Sequence, residues 1–271
     1  MPELPEVETT VRGIAPHVSG HTITDAVVRN SALRWPVPAT LPVILRQRRV
    51  RAVTRRGKYI LFGLDTGTLL MHLGMSGSIR MVPSELAPGL HDHVDILFDN
   101  GQVLRFNDPR RFGALLWVEG DPLHHELLTH LGPEPLTGDF NGDYIFGVAR
   151  HRKTPVKSLL MNSQVVVGVG NIYANEALFA SGIHPLRKAN RIALARYDML
   201  VSAVKAVLES AIAQGGTTLR DFIGSDGRPG YFRQSLKVYG RGGEACVRCR
   251  TLLREVRLSN RSTVYCIQCQ R

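Results

Sequence analysis

Residues 246–269 read CVRCRTLLREVRLSNRSTVYCIQC, and this stretch decides how the C-terminal end of the chain folds. Cys246, Cys249, Cys266 and Cys269 are all the cysteines of the chain and follow a C-x2-C-x16-C-x2-C spacing. Each C-x2-C pair can place two thiolates on one ion at a tight turn, and two pairs complete a tetrahedron. The pattern predicts one structural zinc ion, because four thiolates leave no open position for a substrate. A redox pair or four unrelated buried cysteines are the alternatives.

The residues between the two cysteine pairs predict a β-hairpin with a basic tip. Two short strand-like runs flank Ser259–Ser262, and the segment from Arg241 to the end holds seven Arg against two Glu. Such a local excess of positive charge indicates contact with phosphate groups. Arg261, at the predicted tip, would enter a groove or touch a sugar-phosphate, although most surface arginines are simply solvated.

The whole chain is basic, with 34 Lys and Arg against 23 Asp and Glu in 271 residues, a net charge of +11 and a pI near 10. This charge favours a polyanionic partner, and a basic protein without a nucleic-acid role is the alternative. The start, MPELPEVETT, has neither the basic nor the apolar region of a signal peptide. We therefore expect a cytosolic protein whose cysteines are not in disulfides.

The first half of the chain is predicted to be mostly β-structure after a leading helix. Val7, Val11 and Ile14 share one helical face, and Pro5 suits a first-turn position. Runs rich in β-branched and aromatic residues predict strands. A strong hairpin signal lies at 99–101, where Asp-Asn-Gly separates two alternating runs. The strand signals cover 22–30, 50–56, 58–64, 68–75, 93–98 and 102–106.

The second half is predicted to be helical. The run 131–140, LGPEPLTGDF, contains two prolines and two glycines and indicates a hinge or linker. Apolar residues then recur at three- and four-residue spacing over 200–212, and Gly215-Gly216 supplies a helix stop.

The N-terminus offers a candidate nucleophile. An initiator Met before Pro2 is normally removed, which leaves a secondary amine with a pKa near 8, so that about a tenth is unprotonated at pH 7. The following helix disfavours the ammonium form through its positive end, whereas Glu3 and Glu6 favour it and could carry protons. Such an amine could attack a sugar carbon to form a Schiff-base intermediate. Good helix capping is the alternative explanation of these residues.

Several motifs occur together and in order. MPELPEVE, RRGKY, HLGMSG, FNDPRRFG, VGVGNIYANEALF and the four-cysteine segment extend from residue 2 to residue 269. In this combination the chain closely resembles the formamidopyrimidine-DNA glycosylase family. The resemblance implies an α+β fold with three parts: an N-terminal β-sandwich with flanking helices over 1–132, a helix-two-turns-helix domain over 133–240, and a zinc finger over 241–271.

The resemblance also implies an activity and the residues that perform it. The family removes oxidised purines, 8-oxoguanine and formamidopyrimidines, from double-stranded DNA and then cleaves the strand by β,δ-elimination. Pro2 would be the Schiff-base nucleophile, Glu3 the acid/base group and Glu6 a supporting carboxylate. Lys58 would serve β-elimination and Arg261 would assist δ-elimination. We expect a monomer that associates with the nucleoid.

Further residues are assigned to DNA contact by the same resemblance. Gly168 and Gly170 would let backbone N–H groups near Asn171 approach a phosphate. Met75, Arg110 and Phe112 would fill the space left by the flipped base, although ordinary packing is the alternative for the two apolar members. Residues 217–232 resemble a loop that closes over the lesion. The implied DNA contacts are His72, Met75, His91, Arg110, Phe112, Arg152, Lys157 and Asn171.

Two departures and two alternatives accompany this interpretation. Asn162 stands where the family pattern has Asp, and a chain that kept Met1 would have an amide, not an amine, at Pro2.

An endonuclease VIII-type glycosylase for oxidised pyrimidines would share Pro2, Glu3 and the finger, but Leu4 and the trio of Met75, Arg110 and Phe112 favour the purine group. A non-catalytic zinc-finger DNA-binding protein would have lost Pro2, Glu3 or Lys58.

Overall fold

The N-terminal helix forms where the apolar spacing predicts it. In the computed structural model, which describes residues 2–216 and 235–271, α1 spans Leu4–Val18. Val7, Val11 and Ile14 lie on its buried face. Glu3 caps the helix, and Pro5 occupies the first turn, where a missing N–H costs nothing. The described chain divides into two units, one with residues 2–129 and 214–216 and the other with 130–213 and 235–271.

The first unit is built on two four-stranded antiparallel sheets. One has the strand order β1-β6-β7-β5 and the other β2-β3-β4-β8. The predicted strands and the hairpin turn at 99–101 are all present. The strands are β1 Ile23–Val28, β2 Val50–Arg56, β3 Tyr59–Leu64, β4 Thr68–His72, β5 Ser78–Pro83, β6 Asp92–Phe98, β7 Gln102–Asn107 and β8 Ala114–Val118. A short helix, α2, spans Leu41–Leu45.

One apolar core joins both sheets to the two helices of this unit. Ile14 of α1, Leu41 of α2, Phe62 of β3, Ile96 of β6 and Phe106 of β7 all belong to it. Alternating apolar residues face this core, as the period of two in each strand requires. The result is the sandwich that the sequence predicts, with α1 packed against β2, β3 and β5.

The other face of the β1-β6-β7-β5 sheet carries a cluster of buried charges. Arg105 is 2% exposed and donates to both carboxylate oxygens of Asp95 at 2.9 and 2.8 Å. Asp92 is also 2% exposed and accepts from Arg80 and Asn107. Buried charges persist only when they are paired and hydrogen-bonded, and here they are. A simple apolar-in, polar-out alternation would have predicted a solvated face.

The second unit contains four helices and the terminal hairpin. Its helices are α3 Gly142–Ala149, α4 Val156–Leu160, α5 Asn171–Ala180 and α6 Leu194–Ala213. The apolar face predicted for α6 is confirmed, since Leu200, Val204 and Leu208 are buried against the other helices. Two short 3-10 helices, Pro122–His124 in the first unit and Ala189–Arg191 in the second, complete the helical elements described. Among the described helices, none combines the length and apolar character needed to cross a membrane.

The predicted hairpin between the cysteine pairs is confirmed and is tighter than expected. Strands β9 Arg254–Leu258 and β10 Arg261–Tyr265 pair antiparallel, with Leu258 opposite Arg261. The turn therefore has only two residues, Ser259 and Asn260, and both have left-handed backbones with φ of 50° and 59°. This conformation matches the twist of the flanking strands but is unusual for residues other than Gly, Asn and Asp.

Candidate functional site

The proposed nucleophile and its two carboxylates lie together at the start of α1. Pro2 is buried, and Glu3 and Glu6 are each 2% exposed. The Glu6 carboxylate accepts the backbone N–H of Glu3 at 2.8 Å, and the Glu3 carboxylate accepts from the backbone of Glu6 in return. This reciprocal cap fixes the peptide that follows Pro2. It therefore fixes two buried carboxylates within the first helical turn after Pro2.

The turn that carries Lys58 is tied to the same helix. The Arg55 guanidinium donates to the Glu8 carboxylate of α1 at 2.9 Å and to the carbonyl of Gly57 at 2.9 Å. Burial raises the pKa of Glu8, but the hydrogen bonds and charges of Arg55 and Arg12 outweigh it and leave the pKa lowered. Gly57 occupies the turn at a φ of 58°, which favours glycine. The Lys58 turn is thus held at a set position relative to α1.

His72 lies next to this turn at the end of β4. Its ring is 4.8 Å from that of Tyr59, and its Nδ1 accepts the backbone N–H of Gly74 at 3.0 Å. Burial, together with the positive charges of Lys58 and Arg34, lowers the pKa of His72 to about 4. The imidazole is therefore neutral at neutral pH, with Nε2–H as its donor. Such a group can bind a phosphate by hydrogen bonding without adding charge.

A cavity of about 620 Å³ brings together His72 and the three residues predicted to fill the space of a flipped base. Met75 and Phe112 line it and remain 36% and 41% exposed. The Arg110 guanidinium lies 5.0 Å from the centre of the Phe112 ring. The trio therefore forms one surface and not part of the core. Arg34, which the sequence reasoning missed, also lines this cavity.

Asp108 holds the loops that form this surface. Its Oδ1 accepts from the Ser76 hydroxyl at 2.7 Å and its Oδ2 from the Gly113 N–H at 2.8 Å. The Arg110 N–H donates to the same Ser76 hydroxyl at 3.1 Å, and the Asp108 N–H donates to the carbonyl of His91 at 3.0 Å. Because Asp108 is fully buried, these bonds lie in a low-dielectric environment. Asp108, through its side chain and its backbone N–H, thus joins the segments that carry Met75, His91, Arg110 and Phe112.

In the second unit, α5 begins at Asn171 after the glycine-containing turn. Gly168 has a left-handed φ of 79°, and Gly170 caps the helix. The first N–H groups of a helix attract anions, so this end of α5 suits a phosphate. Arg152, the other predicted contact of this region, is exposed.

Lys157 and Arg261 have opposite environments in the same unit. Arg261 is exposed at the hairpin turn, as predicted. Lys157 is 1% exposed, and its ammonium donates to the Ser262 carbonyl at 2.8 Å and to the Thr263 hydroxyl at 2.7 Å. A direct contact between Lys157 and DNA stays a prediction, whereas its contact with the hairpin is a feature of the folded protein.

The four cysteines form a cluster that fits one zinc ion. Their sulfur atoms all lie within 4.8 Å of one another, with 3.9 Å between Cys246 and Cys269 and 3.4 Å between Cys249 and Cys266. A tetrahedron of thiolates about 2.3 Å from zinc has edges of about 3.8 Å. The sulfur–sulfur distances of 3.9 and 3.4 Å are also longer than the roughly 2.0 Å S–S bond of a disulfide. The donor set and spacing match a closed structural site.

Three known domain families together match most of the chain. The N-terminal domain of formamidopyrimidine-DNA glycosylase matches residues 1–115, the H2TH domain of the same enzyme matches 131–223, and a zinc finger found in FPG and IleRS matches 243–271. The formamidopyrimidine-DNA glycosylases of Marinobacter nauticus and Pseudomonas putida are each 58% identical over 271 residues, covering 100% of both chains. That of Saccharophagus degradans is 55% identical over the same length.

The chain belongs to the formamidopyrimidine-DNA glycosylase family. Solved structures agree. The MutM (Fpg) protein of Thermus thermophilus has a TM-score of 0.88 at 38% identity, covering 99% of this chain and 98% of its own. The Lactococcus lactis Fpg in complex with DNA containing an abasic site has a TM-score of 0.92 at 30% identity, covering 99% of each chain. The predicted sandwich, helix-two-turns-helix domain, zinc-finger hairpin and single zinc ion are therefore confirmed.

Some residues of this glycosylase site were not found from the sequence. Asp108 lies inside the FNDPRRFG motif, and a carboxylate before a proline in a Gly-containing turn is a signal that could have revealed it. Glu176 of α5 accepts three backbone N–H groups, those of Lys237, Val238 and Tyr239, at 2.8–2.9 Å. It thereby anchors the segment that leads into the finger. The predicted lesion-covering loop, 217–232, lies outside the described residues.

Asp108→Asn should loosen the DNA-facing loops. The amide nitrogen that replaces one oxygen cannot accept, so either Ser76 or Gly113 loses its buried acceptor. We expect the free energy of unfolding to fall by about 1–3 kcal/mol. Arg110 could read the orphaned base opposite the lesion by bidentate hydrogen bonds. Discrimination between opposite bases should therefore also weaken, because Arg110 loses its support. Urea unfolding and incision of duplexes with each opposite base measure the two effects. Ser76→Ala, which removes the acceptor of the Arg110 N–H directly, is the comparison variant and should weaken discrimination as well. Unchanged stability and discrimination in D108N would argue against this role.

The neutral His72 should make stability depend on pH. Its folded pKa, about 4, lies below the ordinary 6.5, so the unfolded chain binds more protons between these values. Stability should therefore fall as pH drops from 6.5 to 4, by at most about 1.4 kcal/mol per pH unit from this group. Urea unfolding of the wild type and of His72→Gln across this range tests it. The variant should show a shallower decline, and equal slopes would contradict the assignment.

Proposed function

We propose that this chain excises oxidised purines from double-stranded DNA and then cleaves the strand, with the imino group of processed Pro2 as nucleophile. Membership in the formamidopyrimidine-DNA glycosylase family over the full length supports the activity. The observation that carries the residue assignment is the buried cap at the start of α1, where Glu3 and Glu6 flank Pro2.

The first reaction joins the enzyme to the sugar. The Pro2 nitrogen attacks C1′ of the damaged nucleotide, and the N-glycosidic bond breaks with its electron pair leaving on the base. The proton that the Pro2 nitrogen loses neutralises the departing base. Glu3 supplies the proton that opens the sugar ring, which gives an iminium ion at Pro2. Glu6 acts indirectly, because its carboxylate holds the backbone N–H of Glu3.

Two eliminations then cleave the DNA backbone. The iminium ion acidifies C2′–H, so β-elimination breaks the bond to the 3′ phosphate, and Lys58 exchanges protons and holds phosphate there. δ-Elimination breaks the bond to the 5′ phosphate, and Arg261 stabilises the charge that develops on this leaving group. Water then releases the sugar fragment from Pro2.

DNA binding in this proposal uses both units. Backbone N–H groups at the start of α5, with Asn171 and Arg152, bind phosphates, as do His72 and His91 of the first unit. Met75, Arg110 and Phe112 fill the space of the extruded nucleotide. The zinc ion, held by the four cysteines, supplies only the fold of the finger. Action as a monomer and a cytoplasmic, nucleoid-associated location are part of the same proposal.

Lesion preference tests this function against the pyrimidine-specific alternative. Incision rates are measured on matched duplexes that contain 8-oxoguanine opposite cytosine or thymine glycol opposite adenine. We expect the purine lesion to be preferred by at least about tenfold, a difference in barrier of about 1.4 kcal/mol. Faster incision at thymine glycol would favour the endonuclease VIII type, and incision of neither duplex would favour a non-catalytic DNA-binding protein.

A further inference from the structure

The ammonium of Lys157 lies inside the second unit and contacts the zinc-finger hairpin. Lys157 belongs to α4 and is 105 residues away in sequence from Ser262, whose carbonyl accepts from its Nζ at 2.8 Å. It also donates to the Thr263 hydroxyl at 2.7 Å, and Thr263 is 0% exposed. A buried charge is costly unless it is hydrogen-bonded, so these contacts fix β10 relative to α4.

The Thr263 hydroxyl continues this connection to Arg261. The oxygen that accepts from Lys157 also donates to the backbone carbonyl of Arg261 at 3.3 Å. Three groups are therefore linked in sequence: the Lys157 ammonium, the Thr263 hydroxyl and the Arg261 backbone. The Arg261 side chain itself remains exposed at the turn.

The hairpin turn needs such external support. Ser259 and Asn260 both have left-handed backbones, which asparagine tolerates but which are unfavourable for serine. Isolated two-stranded hairpins are only marginally stable in water. A second contact holds the same strand, because the Val264 N–H donates to the Asn175 side chain of α5 at 2.9 Å. The position of Arg261 is thus set by α4 and α5 as well as by the cysteine cluster.

We propose that Lys157 is a positioning residue for the second elimination, acting through Thr263 to hold Arg261 at the leaving phosphate. This inference rests on the proposed function, which gives Arg261 its role in that step. In the second elimination the C5′–O5′ bond breaks, its electron pair leaves with the phosphate, and a proton is lost from C4′. A phosphate leaving group needs a cation at a defined place, and a displaced hairpin would not provide it.

Thr263→Val is the main test, with Thr263→Ser as its matched control. Valine has nearly the shape of threonine but can neither accept from Lys157 nor donate to Arg261, whereas serine can do both. Single-turnover reactions with an 8-oxoguanine duplex measure base release and the ratio of β- to δ-elimination ends. Zinc content and hydrogen exchange of the segment 254–265 are measured on the same samples. Lys157→Met, Arg261→Ala and the double variant T263V/R261A complete the set.

We expect T263V to slow the second elimination about 5- to 10-fold while base release stays within about twofold, and T263S to restore the wild-type ratio. Hydrogen exchange of 254–265 should quicken in T263V and Lys157→Met without loss of zinc. T263V should add nothing to the effect of R261A, because both act on one group.

The other outcomes separate this inference from the proposed function. If the second elimination proceeds at the wild-type rate in T263V but is slow in R261A, the role of Lys157 is overturned and that of Arg261 stands. A wild-type rate in R261A overturns both, whether or not T263V is slow. Lys157→Met could leave hydrogen exchange of 254–265 unchanged and weaken the salt dependence of DNA binding. That result would identify Lys157 as a phosphate ligand and would also overturn its positioning role.

Discussion

A chain that keeps Met1 should lose about a thousandfold or more of its activity on lesion-containing DNA. The nitrogen of Pro2 is then an amide, which has no lone pair available to attack C1′, and loss of a nucleophile alone can cost about as much as loss of the whole catalytic unit. Both base release and strand cleavage should fail, because the covalent intermediate precedes each elimination. Incision of an 8-oxoguanine duplex by processed and unprocessed chains, with processing verified by intact mass, measures the effect.

A matched control separates the chemistry from binding. Pro2→Gly, processed in the same way, keeps a free terminal amine, so it should retain part of the activity that the Met1 form has lost. The affinity of each chain for a duplex with an uncleavable abasic-site analogue should stay within about tenfold of wild type, since the cap is formed by the carboxylates and backbone N–H groups of Glu3 and Glu6 and uses no atom of Pro2. Full activity with Met1 attached would refute the assigned nucleophile.

Removal of zinc should abolish tight DNA binding but leave the sandwich folded. Structural zinc sites contribute about 10–16 kcal/mol of binding energy that becomes folding energy, and this hairpin has little core of its own. The small apolar cluster around Val238, Leu253 and Val264 includes Cys246 and Cys266, so it loses its centre without the metal. We expect affinity for a lesion duplex to fall about 100-fold or more, because the site of Arg261 and its neighbours is lost.

Chelation followed by zinc repletion tests this prediction without a sequence change. Zinc release, DNA affinity and hydrogen exchange of 254–265 are followed together, and Cys266→Ser gives the permanent form of the same loss. Hydrogen exchange in the strands β2 to β8 should not change, since these strands belong to the first unit, which has its own core. Undiminished binding with the metal removed would show that the finger does not contribute to affinity.

Much of the fold follows from local patterns in the sequence. The face shared by Val7, Val11 and Ile14, the turn at 99–101 and the cysteine spacing each depend on residues close in the chain. The buried charges of the β1-β6-β7-β5 sheet do not follow in this way. Asp95 and Arg105 face each other across two paired strands and are buried as an ion pair, which the alternation within each strand does not indicate.

The site was predictable where residue chemistry is distinctive and not where distant contacts define it. Met75, Arg110 and Phe112 were grouped through the family resemblance, and they share one cavity wall. Asp108 contacts Ser76, which is 32 residues away, and Lys157 contacts a strand more than 100 residues away. Contacts between residues so far apart leave no periodic pattern in the sequence, because they depend on how sheets and helices pack. For Lys157 the family resemblance indicated a contact with DNA, whereas the fold supplies hydrogen-bond acceptors within the protein.

The most direct test of the central claim is the attachment site of the covalent intermediate. The processed enzyme is incubated with an 8-oxoguanine duplex and borohydride, the adduct is digested, and the modified peptide is sequenced by mass spectrometry. We predict that the reduced sugar remnant is attached to the nitrogen of Pro2 in the N-terminal peptide. Attachment to Lys58 or to any other lysine, or efficient cleavage with no trapped adduct, would contradict the mechanism.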